Sequence, residues 1–228
     1  MPPSIPRWLD VQYIGETGGV ALPGRPRSAR YTRGTGNAET ASDLHGVHVS
    51  PNSDTATVAV RRLLKVTEAQ IEALAELLVD CVEGGASVGF MHPLPVEKAR
   101  AFWRRVADRV ARGERALLIA EDSTGVIGTV HMVLEQPDNQ QHRADLSKML
   151  VHRRARRRGA GAALIVGAEA LARECGRSLL VLDTVTGSDA ERLYARLGWQ
   201  RAGEIPGFAL LPHGGLCPTT YYYRALES

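Results

Sequence analysis

The stretch LSKMLVHRRARRRGAGAALI, residues 146–165, sets an apolar run, an arginine-rich turn, a Gly-x-Gly and the start of an apolar-faced helix in direct succession. A strand that turns straight into a helix points to helices packed on a sheet. It also concentrates charge at one place, since the whole chain carries a net charge of only +3. A helix N-terminus has unsatisfied N–H groups and a partial positive charge, and together these hold anions. Glycines at 159 and 161 let backbone amides approach such an anion without a Cβ in the way.

Three readings of this turn compete. It can be a solvated basic loop. It can be a dinucleotide fingerprint, with Gly159-Ala160-Gly161 opening it and Asp183 at the end of the following strand, although Leu164 stands where that motif wants Gly or Ala. It can be a cradle for a diphosphate, with Arg156, Arg157 and Arg158 adding charge-assisted contacts.

The rest of the chain places the turn in an architecture. Residues 57–66 read as a strand. Thr67 and Gln70 form a capping-box pattern, followed by Ile71, Leu74, Leu78 and Cys81 at helical spacing and a stop at Gly84-Gly85. Pro95 suits a first helical position, and Val96, Ala99, Trp103, Val106 and Val110 give a second stripe, ended by Gly113. Three β-type runs follow, ALLIAED, VIGTVHMVLEQ and RADLSKMLV, as an antiparallel meander. After the arginine turn, Leu164, Ile165, Ala168 and Leu171 share a helical face, and SLLVLDT reads as a fully buried strand. Ser188 and Glu191 form another capping box before SDAERLYARLG, and two strands close the chain. The expected order is β-α-α-β-β-β-α-β-α-β-β, a single α/β (α+β) domain over residues 57–228 on a mixed, mostly antiparallel sheet. Residues 1–56, rich in Gly, Pro, Ser and Thr without periodicity, read as a disordered tail.

Three scattered cysteines without C-x-x-C spacing argue against a disulfide framework, and no apolar run reaches the ~20 residues of a membrane span. The expectation is a cytoplasmic protein with no membrane partner and no metal, His45 and His48 having no further ligand beside them. A homodimer is expected only because homo-oligomers are common.

MLVHRRARRRGAGAALI resembles the pyrophosphate-binding motif of GNAT-type N-acetyltransferases. AERLYARLGW is similar to the later helix of the same superfamily, and one strand separates the two, as in that family. More narrowly, GGASVGFM, LDTVTGSDAERLY and GEIPGFALLPHGGLCPTTYY resemble the tabtoxin-resistance acetyltransferases, the likeness running from about residue 60 to 226. The resemblance implies acetyl-CoA as co-substrate and a small-molecule amine as acceptor. It implies that Arg156, Arg157, Arg158, Gly159, Ala160, Gly161 and Ala162 hold the diphosphate, and that Met149 and Val151 meet the pantetheine arm through their main chain where the strand splays from its neighbour.

Acetyl transfer to an amine needs the thioester held, the ammonium deprotonated, the developing oxyanion met by donors and the leaving thiolate given an acid. The resemblance makes Tyr194 that acid. It makes Asp183 and Asp145 the acidic pair, although the relatives carry Glu where Asp145 stands; the shorter side chain reaches less far for direct proton abstraction, and a bridging water could compensate. Either carboxylate could instead bind the substrate ammonium. Ser87, Phe90 and Met91 fall in the segment that walls the acceptor site in the family. The other readings left open are a nucleic-acid-binding protein using the arginines, weakened by an aromatic content of 5%, and an NAD-dependent oxidoreductase.

Overall fold

The computed structural model describes residues 58–227; the tail expected over 1–56 lies outside the described residues. The elements follow the expected order: β1 (Ala59–Leu63), α1 (Glu68–Glu83), α2 (Val96–Ala111), β2 (Arg115–Asp122), β3 (Gly125–Val133), β4 (Arg143–Val151), α3 (Ala160–Glu174), β5 (Leu179–Val185), α4 (Asp189–Arg196), β6 (Gln200–Leu210) and β7 (Leu216–Ala225). They build one seven-stranded sheet in the order β1-β2-β3-β4-β5-β7-β6. Every neighbouring pair is antiparallel except β4 and β5. That one parallel pair follows from connectivity, because α3 is the crossover that returns the chain to the same edge.

The local signals explain most boundaries. Thr67 Oγ1 accepts from the Gln70 amide while the Gln70 side chain accepts from the Thr67 amide, so both halves of the capping box form. At α4 only half does: Ser188 Oγ accepts from Glu191 N–H at 3.1 Å, but Glu191 turns to the Gly187 amide instead. Pro95 is the N-cap of α2, in extended conformation, and the helix proper starts one residue later.

Helices cover both faces. Leu164, Ile165, Ala168 and Leu171 of α3 pack with Val60, Leu118, Val130 and Leu146 on one face, joined by Tyr194 and Trp199. Leu74 and Leu78 of α1 and Trp103 and Val106 of α2 pack with Leu63, Leu117 and Ile119 on the other. Side chains this large contribute about 1.5–3 kcal/mol each on full burial, so the two layers fix which face each strand residue takes. The fully buried strand expected at residues 178–184 is a half-buried one: in β5 Leu180 and Leu182 are covered, while Asp183 between strand partners is exposed. The reason is that α3 and α4 cover one face of β5, and the opposite face is left as part of an open floor.

Candidate active site

The sheet forks at its parallel pair. β4 and β5 are joined only through Arg143–Leu179, Ala144–Leu180 and Asp145–Val181, after which β4 runs on to Val151 and β5 to Val185 with no further rung. A bulge opens the fork. The register of β3 against β4 shifts between Thr129 and His131, and opposite that shift Lys148 adopts φ 53°, a left-handed value unusual for a side chain with a Cβ. The bulge also flips the strand's facing. Leu146 packs in the α3 layer, whereas Leu150, four residues on, packs in the α1–α2 layer. Past the bulge, the His152 amide donates to the Ile127 carbonyl of β3 at 2.9 Å. Main-chain groups alternate along a strand, so the amides of Val151 and Met149 face away from β3, into the fork.

Beyond β4 the chain makes a 3-10 turn at Arg153–Ala155 and enters the arginine segment. Its arginines divide by role. The Arg153 amide and Nε bond both oxygens of Asp80 at 2.9 and 2.7 Å, tying the turn to α1. Arg154 Nη1 binds Asp122 Oδ2 at 3.0 Å, tying it to the β2–β3 hairpin. Burial pushes the Asp80 carboxyl up, but the hydrogen bonds from Arg153 and the charge of His152 outweigh it and hold it below the usual carboxylate value. Arg156, Arg157 and Arg158 are exposed, with only weaker contacts: Arg156 Nε to the Val151 carbonyl at 3.5 Å, Arg157 to Asp189 at 3.9 Å and Arg158 to Asp122 at 3.9 Å.

Gly159 caps α3 at φ 87°, and Arg157 before it is at φ 62°, so the chain curls tightly into the helix mouth. The first main-chain bond of the helix runs from the Ala163 amide to the Gly159 carbonyl at 3.0 Å, and no side chain caps the end. The amides of Ala160, Gly161 and Ala162 are therefore directed out of the helix, with no acidic side chain in the first turn to meet them. A Cβ on Gly161 would come 3.1 Å from Leu193 Cδ2, 3.7 Å from Val151 Cγ2 and 3.9 Å from Met149 Sδ. So Gly161 lies where α3, α4 and the free edge of β4 converge. These amides, three exposed guanidinium groups and an open strand edge have the donor chemistry that a diphosphate followed by an amide-bearing arm requires. Among the described residues no cluster of His, Cys, Asp or Glu has the makings of a metal site.

Tyr194 comes to the fork from α4. Its ring packs against Trp199 and Tyr222, at centroid distances of 5.8 and 6.2 Å, and its hydroxyl has no hydrogen-bond partner among the described residues. Burial, and then the negative charge of Asp183, push its phenol well above the ordinary tyrosine value. Asp183 sits on β5 opposite Tyr221 of β7. Surrounding protein pushes its carboxyl up, partly offset by Lys148 and reinforced by Asp145. Asp145 is engaged differently: Arg143 Nη1 binds one of its oxygens, and Gln136 Nε2 donates to the other at 2.9 Å. Asp183 has neither kind of partner, and of the two carboxylates it is the one with free lone pairs at the fork.

Lys148 also stands at the fork, with no sequence motif to mark it. Burial lowers its ammonium pKa, Asp183 raises it again, and Nζ lies 5.8 Å from the Phe102 centroid. A Cβ on Gly89 would come within 3.7 Å of the same Nζ, which brings the α1–α2 connection to the fork. Phe90 of that connection meets Phe102 edge to face at 5.3 Å. Met91 is 45% exposed. Ser87, by contrast, donates its hydroxyl to the Leu210 carbonyl at 3.2 Å and so braces the connection against the end of β6. Tyr221, with Phe208 edge to face on it at 6.0 Å, forms the far wall. No pattern in the sequence marks a lysine as the residue at a left-handed bulge.

Comparison with known proteins gives a consistent result. The sequence pattern described as the Acetyltransferase (GNAT) family matches residues 71–199. Among solved structures, a GCN5-related N-acetyltransferase from Kribbella flavida is 25% identical, with a TM-score of 0.61 over 74% of this chain and 98% of that one. An acetyltransferase from Salmonella typhimurium, solved with its cofactor acetyl-CoA, is 20% identical, with a TM-score of 0.62 over 75% and 95% of the two chains. A phosphinothricin acetyltransferase from Sinorhizobium meliloti in complex with acetyl-CoA is 19% identical, with a TM-score of 0.62 over 75% and 89%.

Proposed function

Since the chain belongs to the Acetyltransferase (GNAT) family, we propose that it is an acetyl-CoA-dependent N-acetyltransferase whose acceptor is a small amine, with the fork between β4 and β5 as its centre. The observation that carries this reading is the fork itself: free amides at the α3 mouth, an unpaired β4 edge, a carboxylate that no other side chain among the described residues hydrogen-bonds and a buried protonated phenol converge on it.

Bound acetyl-CoA supplies the activated acetyl group. The residues around it have separable tasks. Amides of Ala160, Gly161 and Ala162, with Arg156, Arg157 and Arg158, bind its diphosphate. Met149 and Val151 orient the arm through their main chain. Asp183 takes up the acceptor's proton at its carboxylate, its raised pKa making it a better base than an ordinary aspartate. Asp145, already held by Arg143 and Gln136, fixes the closed end of the fork and sets the local charge. Tyr194 keeps its proton on Oη at neutral pH and holds it ready for the leaving thiolate. No step calls for a covalent enzyme intermediate, and both buried cysteines are packed in place; the Cys81 thiol is pushed up to about 11, mainly by burial.

The acceptor is an amino-acid-like or antibiotic amine, as the resemblance of residues 60–226 to tabtoxin-resistance enzymes suggests, and the phosphinothricin acetyltransferase of similar fold is in keeping with it. Lys148 beside Asp183 favours acceptors with an acidic group near the amine. A panel of amines and amino acids, assayed for release of free coenzyme A thiol, tests the proposal. Acetyl-dependent thiol release with at least one small amine supports it. Failure of the whole panel, with turnover of NAD or binding of a nucleic acid instead, contradicts it.

A further inference from the structure

A second cationic feature lies away from the α3 mouth. α2 and the start of β2 form an open pocket of about 210 Å³ lined by Phe102, Arg105, Val106, Arg109 and Arg115. Elsewhere on α2 the arginines are matched: Arg100 pairs with Glu72 and Glu97, and Arg104 with Glu68. Just past the helix Arg112 pairs with Glu114. The three arginines of the pocket form no ion pair among the described residues. Arg105 and Arg109 stand one turn apart on one helix face, where like charges repel. Arg115 is crowded too, its guanidinium pKa lowered by burial and then by Arg109.

Behind the pocket, Arg115 also contacts a buried histidine. Arg115 Nε is buried with no hydrogen-bond partner. Its Nη1 lies 2.9 Å from His131 Nε2, and a guanidinium can only donate, so His131 accepts there and carries its proton on Nδ1. His131 is 1% exposed, and Nδ1 is likewise buried without a partner. Converging guanidinium groups on an apolar wall of Phe102 and Val106 are suited to an oxyanion that takes several of them at once.

We propose that this pocket binds a small multivalent oxyanion, a phosphate or a polycarboxylate, at a site separate from the arginine turn. The volume suits a single small anion, and the duplex arm of the test separates it from a polymer strand. The test is isothermal titration of the full chain with inorganic phosphate, with citrate and with a short DNA duplex. Each titration is run on wild type, on Arg105→Gln/Arg109→Gln, on Arg109→Gln alone, and on Arg156→Gln/Arg157→Gln/Arg158→Gln. The expected result is saturable binding of phosphate or citrate that keeps one equivalent in the arginine-turn variant, whichever anion is tighter naming the source. It weakens at least tenfold in the α2 double variant and by a smaller factor in the single one. It persists in the arginine-turn variant, which separates this site from the one proposed for acetyl-CoA. Phosphate and citrate isotherms unchanged by the α2 substitutions, or binding of the duplex alone, would overturn the proposal. Arg105 and Arg109 are exposed, and the single variant serves if the double one does not fold.

Discussion

Asp145 pairs with Val181 on the last rung that β4 and β5 share, and the strands part beyond it. Everything assigned to catalysis lies within reach of that parting. Lys148 bends β4 away, Asp183 stands two residues past Val181 on β5, and Tyr194 arrives from the α4 side. One geometric event in the sheet therefore creates both an open strand edge and a break through which groups on opposite faces meet.

Tyr194→Phe removes one hydroxyl that has no hydrogen-bond partner among the described residues and leaves the ring packing on Trp199 and Tyr222 intact. Stability should change by less than about 0.5 kcal/mol, while loss of a general acid should lower kcat by about 10²-fold or more. Acetyl-CoA affinity should stay within a factor of two or so of wild type. Steady-state kinetics and a binding titration on the same preparation check this; unchanged turnover removes the tyrosine from the mechanism.

Asp183 must be ionised to accept a proton, so kcat/KM should fall as pH drops through its raised value. The ammonium of Lys148 favours the carboxylate form. Lys148→Met should therefore move the acidic limb of the profile to higher pH, and Asp183→Asn should abolish that limb together with most of the activity. A Lys148→Met profile that superimposes on wild type would show that the two charges do not communicate.

Asp80 holds the arginine turn to α1, and its carboxyl lies below the usual value in the folded chain. The stability it contributes is present above the ordinary aspartate pKa of ~3.9 and is lost as pH falls through the folded value. Asp80→Asn should cost about 1–3 kcal/mol at neutral pH. The same variant should show a smaller further loss than wild type between pH 4.5 and 2.5. Thermal melts across that range distinguish this from a surface pair with no net effect, for which the two curves would coincide.

How far the sequence foretold this depends on the kind of interaction. Element order was legible because apolar spacing and caps are local: Thr67 with Gln70, and Leu164, Ile165, Ala168 and Leu171 on one face, each lie within a few turns of chain. The glycines of the α3 mouth were legible for the same reason. Long-range partners were not. Nothing near Arg153 and Arg154 announces that Asp80 and Asp122 will claim them. The same holds for Ser87, whose partner is Leu210, and for the face of β5 opposite α3 and α4. The bulge at Lys148 arises from strand pairing with β3, and a residue's own identity does not encode it.

The most direct test is calorimetric titration of the purified protein with acetyl-CoA, on wild type and on Gly161→Val. Wild type should bind one equivalent saturably. The valine, whose Cβ alone would sit 3.1 Å from Leu193 and whose methyl groups crowd the free β4 edge, should weaken binding at least tenfold. No heat of association with acetyl-CoA from folded wild-type protein, or an affinity that the valine leaves untouched, would contradict the assignment of the α3 mouth and the fork as the acyl-carrier site.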